Sequence, residues 1–108
     1  MSVALTIAAV EDQGYRLILS HAGRQLLCGP VRPEPHEARN DAEALRRAVA
    51  QEGRYRLERD GSGGFCFRVL GECGCTLAVS APHPTPYSLG QAIATIKALM
   101  PQVELILP

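Results

Sequence analysis

The chain has no tryptophan, two phenylalanines and three tyrosines in 108 residues. Few aromatics remain for a base-stacking surface once a core is filled. Charge of either sign is not in excess, with 11 basic and 11 acidic residues. General attraction to phosphates needs surplus positive charge, so a nonspecific nucleic-acid or anionic-membrane binder is disfavoured. No apolar run approaches the roughly 18 residues of a membrane-spanning helix. The apolar start, Met1 to Val10, lacks the basic opening of a secretory signal, and its alternation suits a strand. Four cysteines without such a signal point to reduced thiols in a cytoplasm. Gly-x-Gly-x-x-Gly, the Walker loop and His-Glu-x-x-His are all missing. Gly61-Ser-Gly-Gly64 lies between strands and has no helix after it to hold a phosphate.

What is present is an ordinary globular composition, 46% hydrophobic and 20% charged, at a length that suits one domain, 1–108. Val3, Leu5 and Ile7 alternate against Ala4 and Thr6, which predicts a strand over 3–10. Tyr15–Ser20 and Arg24–Cys28 read as a hairpin about Ala22-Gly23. Gly29 to Asn40 carries three prolines and reads as an extended loop. Asn40, with Glu43 at N3, predicts a helix start, and Gly53 predicts its stop after about Glu52.

The pattern then recurs. Tyr55 and Leu57 alternate with arginines and Glu58, which predicts a half-buried strand; Asp60 opens a turn; Phe65, Phe67 and Val69 alternate with Cys66, Arg68 and Leu70; Cys75–Val79 returns. A second proline-rich loop leads to Ser88, a cap with Gln91 at N3, and a helix ending before Pro101. Val103–Leu107 predicts a last strand. The offset is about 50 at the hairpins and 48 at the helices as placed. The expected fold is therefore α+β: two tandem β-β-β-α repeats, about 2–52 and 53–108, forming one antiparallel sheet with two helices on one face and a closing C-terminal strand. Neither repeat could bury a core alone.

Two stretches carry a family resemblance. Tyr15-Arg-Leu-Ile-Leu and Phe65-Cys-Phe-Arg-Val match an aromatic-x-aromatic/apolar-x-Leu strand followed by a Gly-containing turn. Tyr87 before Gln91-Ala-Ile-Ala-Thr-Ile-Lys-Ala98 is similar to a Tyr before a Gly-Ile-Ala-Ser-Val-Lys helix. In these the chain resembles the YegP-like family, small bacterial tandem-repeat proteins of unknown function. The resemblance implies β(3)-α-β units in a single sheet, with the last strand of each unit swapped onto the other. It implies no catalytic residues.

Three groups could carry chemistry. Cys66, Cys73 and Cys75, with Cys28, give C-x6-C and C-x-C spacings without a second knuckle. A structural metal site and a disulfide from Cys66 to a tip cysteine both rank behind plain half-exposed thiols. His36 and His83 each follow a proline in the two loops, but without a partner or a nucleophile elbow an enzyme ranks third. The third group is the helix-free sheet face, where Arg16, Ile18, Arg54, Arg56, Cys66, Arg68 and Leu70 are expected to point. With Tyr15, Tyr55, Phe65 and Phe67 facing inward, nucleic-acid or small-ligand binding there ranks behind protein contact or self-association. The functional expectation is a non-catalytic module, without cofactor or metal, meeting a protein partner or a second copy.

Overall fold

The computed structural model describes residues 3–59, 61–103 and 105–106. Expectations resting on Met1, Ser2, Asp60, Glu104, Leu107 and Pro108 lie outside the described residues. The elements run β1 (Val3–Val10), β2 (Gly14–His21), β3 (Arg24–Cys28), α1 (Pro35–Ala48), β4 (Tyr55–Arg59), β5 (Phe65–Leu70), β6 (Thr76–Ser80), α2 (Pro86–Leu99) and β7 (Leu105–Ile106). They form one sheet in the order β4-β5-β6-β3-β2-β1-β7. The two repeats meet where β3 pairs with β6, Leu27 with Ser80 and Cys28 with Val79. Six strands are antiparallel; β7 lies parallel to β1, Leu5 opposite Leu105. The strand after the second helix thus closes the first repeat.

The repeat is legible in the register. Leu5 pairs with Leu19 and Tyr55 with Val69, so adding 50 to the first pair gives the second. Leu27 pairs with Leu19 and Ala78 with Val69, an offset of 51 on the return strands. The second hairpin therefore holds one residue more. The first turns on Ala22 and Gly23, both at positive φ, the two-residue geometry that matches strand twist. In the second, Gly74 N–H donates to Gly71 O and Gly71 N–H to Cys75 O, with Gly74 at φ 82. That is a three-residue turn ending on a left-handed glycine.

Both helices begin earlier than the caps at Asn40 and Ser88 suggested. They start at Pro35 and Pro86, 51 residues apart, so the helix offset agrees with the return strands. Proline suits the first helical position, where its missing N–H costs nothing, and it drives the preceding residue to extended geometry. Glu34 and Thr85 are both extended there, and Thr85 Oγ1 accepts from Ser88 N–H at 3.1 Å. The helix expected to reach Glu52 ends at Ala48, and Gly53 lies in a short 3-10 turn.

Alternation puts Leu5, Ile7, Leu17, Leu19, Phe67 and Val69 on one face of the sheet, all fully buried. Ala38, Ala42 and Leu45 from α1 and Leu89 and Ile96 from α2 cover them. Helix α1 spans both repeats, packing on β1 and β2 and also on β5 and β6. Arg46 extends that tie, donating to Met100 O at 3.1 Å and Val103 O at 2.9 Å, which fixes the chain leading into β7. Leu57 departs from the half-buried expectation: it stands 58% exposed on the core side of the edge strand.

Candidate functional site

The face away from the helices is built by the other half of the alternation. Register aligns Arg56, Arg68, Val79, Cys28, Ile18 and Thr6 in one row across six strands. Ile18, Cys28 and Val79 are half-buried at its centre, with Leu70 half-buried on β5, while Arg56 and Arg68 are exposed at one end. The apolar centre exists because β3 and β6 meet there and each contributes a small side chain. Arg68 Nε pairs with Glu58 Oε1 at 2.7 Å, and Arg16 Nε donates to Gly29 O at 3.1 Å. These arginines are engaged within the chain.

Of the residues expected on this face, Arg16, Ile18, Arg56, Cys66 and Arg68 lie on outward positions of β2, β4 and β5. Arg54 does not. It falls in the 3-10 turn before β4, donates to Gln51 Oε1 at 2.9 Å, and lines a cleft on the helix side. Strand alternation was extended one residue too far back. Cys66, opposite Glu58, sits four residues before the end of β5, about 13 Å of strand from the hairpin tip. A disulfide needs Cα atoms within about 7 Å, so Cys66 cannot bridge to Cys73 or Cys75, and all four cysteines are free. His36 lies exposed on α1, not in a loop; the positional partner of His83 is Arg32. Arg32 bridges to Tyr15 as His83 does to Phe65, two backbone bonds in each case.

Two clefts went unread. Each lies between the hairpin tip of one repeat and the helix of the other. In the first, of about 280 Å³, Gly71, Glu72, Cys73 and Cys75 face Ala44, Arg47, Gln51 and Arg54. In the second, of about 470 Å³, His21, Ala22, Arg24 and His83 face Gln91 and Thr95. Offsets of 50 and 51 relate His21 to Gly71, Ala22 to Glu72 and Ala44 to Thr95, so the clefts are equivalent in the fold while their chemistry differs. Linear spacing gives no sign that a tip meets the opposite helix. The signal available was the Cys-Gly-Cys spacing. Gly74, at a left-handed φ, stands between Cys73 and Cys75, and both cysteines line the same cleft. A side-chain carbon built on Gly71 would lie 3.2 Å from Cys75 Sγ, so that sulfur occupies the space Gly71 leaves. The interaction between the two neighbouring thiols lowers Cys73 below its usual range and raises Cys75.

Among the described residues, no three His, Cys, Asp or Glu side chains gather as a metal site requires, and no helix is long and apolar enough to cross a membrane. No family model matches the chain, and no curated protein matches it in sequence. Its fold does match two structures solved by solution NMR. One is YegP from E. coli, described as of unknown function: TM-score 0.89, 20% identity, 99% of this chain and 93% of that one. The other is a UPF0339 protein from Shewanella oneidensis: TM-score 0.89, 14% identity, 99% of this chain and 92% of that one. The resemblance read from two strands and a helix extends, as a likeness of fold, over nearly the whole chain.

Proposed function

We propose that the chain is a non-catalytic contact module that pairs with a second copy of itself through the helix-free sheet face. The observation that carries this is the central strip of Ile18, Cys28, Leu70 and Val79, half-buried on an uncovered sheet and flanked by charge at its β4–β5 end. A sheet face with this composition gains by covering its apolar centre and keeping its rim wet. A second copy suits it for two reasons. The face is built about the approximate two-fold between β3 and β6, so it can meet itself isologously. It also carries both charge signs, Arg56 and Arg68 beside Glu58, on a chain of zero formal net charge, so copies are not held apart. Six strands by five residues make a rectangle of roughly 500 Å², which side-chain relief brings to the low end of a specific interface.

A base-stacking role is less well supported. Phe67 lies within the core, and Tyr15, Tyr55 and Phe65 pack against it. Tyr87, 74% exposed, stands on α2. The open face thus lacks the rings on which single strands stack.

Sedimentation velocity over a concentration series tests the reading. Wild type is expected to pass from monomer to dimer, and Ile18→Glu with Val79→Glu to remain monomeric at every concentration while folded by circular dichroism. A wild type that stays monomeric throughout, or a double variant that dimerises as well as wild type, overturns it.

A further inference from the structure

We propose that Cys73 and Cys75 form a redox-active dithiol that reduces small anionic disulfides in the cleft between the second hairpin and α1. The site is distinct from the open sheet face, because α1 forms one of its walls. Three features converge there. The thiols are exposed and line one cleft wall together, set by the left-handed Gly74 between them and by the gap at Gly71. Residues two apart span at most about 7 Å of chain, within the reach of a disulfide, so the pair can close without unfolding the hairpin. The opposite wall carries Arg47 and Arg54. Glu72 is the acidic group on the cleft wall, and the two guanidinium groups outnumber it, which favours a ligand bearing carboxylates. The equivalent cleft of the first repeat has His21 and Ala22 where this one has Gly71 and Glu72, and its two-residue turn leaves no place for a thiol pair.

The division of labour follows from the inequality of the two thiols. Cys73, exposed and lowered by the neighbouring Cys75 thiol, is the more readily ionised one and the attacking one. Its thiolate attacks one sulfur of the small disulfide, the ligand S–S bond breaks, and one thiolate leaves. Cys75 gives its proton to that thiolate and attacks the Cys73 sulfur of the mixed disulfide. The Cys73–Cys75 bond forms as the second thiolate leaves and takes a proton, the one Cys73 lost to solvent. Two electrons pass from the protein sulfurs to the ligand, and the products are one protein disulfide and two small thiols.

The test uses the full chain carrying Cys28→Ser and Cys66→Ser, with oxidised glutathione as probe and intact-mass spectrometry as readout. The expected product is the protein short of two hydrogens with no glutathione retained. Adding Cys75→Ser is expected to stall the reaction with one glutathione on Cys73. Adding Cys73→Ser is expected to slow the first step by about tenfold or more. Arg47→Gln with Arg54→Gln is expected to slow oxidised glutathione by roughly tenfold while sparing the cationic disulfide cystamine. Stable glutathione adducts on both cysteines, or a first step no faster than a free small thiol, overturns the dithiol. Equal slowing of both probes by the arginine changes overturns the preference for anionic disulfides.

Discussion

Ile7 and Leu57 hold equivalent places in the two halves of the molecule, one on β1 and one on β4, 50 residues apart, each facing the helix side. Ile7 is 1% exposed and Leu57 58%. Residue type and local pattern cannot account for this, since both are large aliphatics on alternating strands. The neighbours do. β1 has β2 on one side and β7 on the other, while β4 has β5 alone and ends the sheet. Among the described residues, the one closing strand follows α2 and goes to the first half, held by Arg46 through Met100 O and Val103 O. The second half manages its bare edge with charge: Arg56, Glu58 and Arg59 alternate along or end β4, the kind of edge that resists pairing with a further strand. A duplicated fold thus spends one hydrophobic strand on one edge and protects the other by polarity.

The largest expected effect separates those two positions. Ile7→Ala should destabilise the fold by about 3 kcal/mol, as removal of a fully buried aliphatic side chain does. Leu57→Ala should stay within about 0.5 kcal/mol, as exposed substitutions do. Urea denaturation of both variants checks the contrast. A cost at Leu57 comparable to that at Ile7 would mean that the β4 edge is covered in solution.

The glycines of the first hairpin give the next contrast. Gly14 has φ 129, and a side-chain carbon there would lie 2.1 Å from Arg32 O, where the linker bridges to Tyr15. Gly23 has φ 79 with open space around it. Gly14→Ala should therefore cost about 2–3 kcal/mol, from strain and loss of the linker bridge together, and Gly23→Ala about 1 kcal/mol from strain alone. Thermal melts with matched urea titrations compare them.

The linkers themselves differ in a third way. In the first half Arg32 holds Asp41 through two bonds, 2.8 Å and 3.1 Å, which pins the linker to α1. The offset of 51 puts His83 and Ala92 at those places in the second half, and the linker there is held by its backbone bonds to Phe65. Asp41→Ala should cost about 1–2 kcal/mol, less than a fully buried pair because Arg32 is 37% exposed. His83→Ala should stay within about 0.5 kcal/mol. Chemical denaturation distinguishes them, and a large loss at His83 would show that its imidazole carries the tie.

The repeat, its seven strands and the α+β class were legible because strand alternation is a local signal that survives in single residues. Phe65, Phe67 and Val69 against Cys66, Arg68 and Leu70 needs no knowledge of partners. The helix starts were misread because prolines weigh as loop formers unless one asks whether each could be a first helical residue; Pro35 and Pro86 could. Leu57 was misread because burial on a half-buried strand depends on which strands flank it, and only topology says that. The thiol cleft was hidden for a similar reason. Cys73 and Cys75 were visible as a spacing, but their arginine wall comes from α1 and the turn before β4, which the fold brings across from the other repeat.

The smallest effect lies at Tyr55, the counterpart of Leu5. Leu5 is apolar and buried; Tyr55 carries a hydroxyl that donates to Val49 O at 2.7 Å. Its ring tilts against Phe67 with centroids 5.7 Å apart, and Lys97, paired with Glu52, lies over its face at 5.4 Å. Burial, with the Glu52 carboxylate adding to it, pushes the phenol up to about 12 from an ordinary 10. The neutral form is therefore the one the fold favours. Its contribution is intact below pH 10 and is lost as pH rises from 10 through about 12, because in that window the unfolded chain has released a proton that the folded chain still holds. Tyr55→Phe should cost about 1 kcal/mol at neutral pH, from the lost hydrogen bond. The same variant should lose less stability than wild type between pH 10 and 12, so the two urea midpoints converge as the pH rises. Parallel midpoints across that range would show that the phenol ionises as freely in the folded protein as in the unfolded chain.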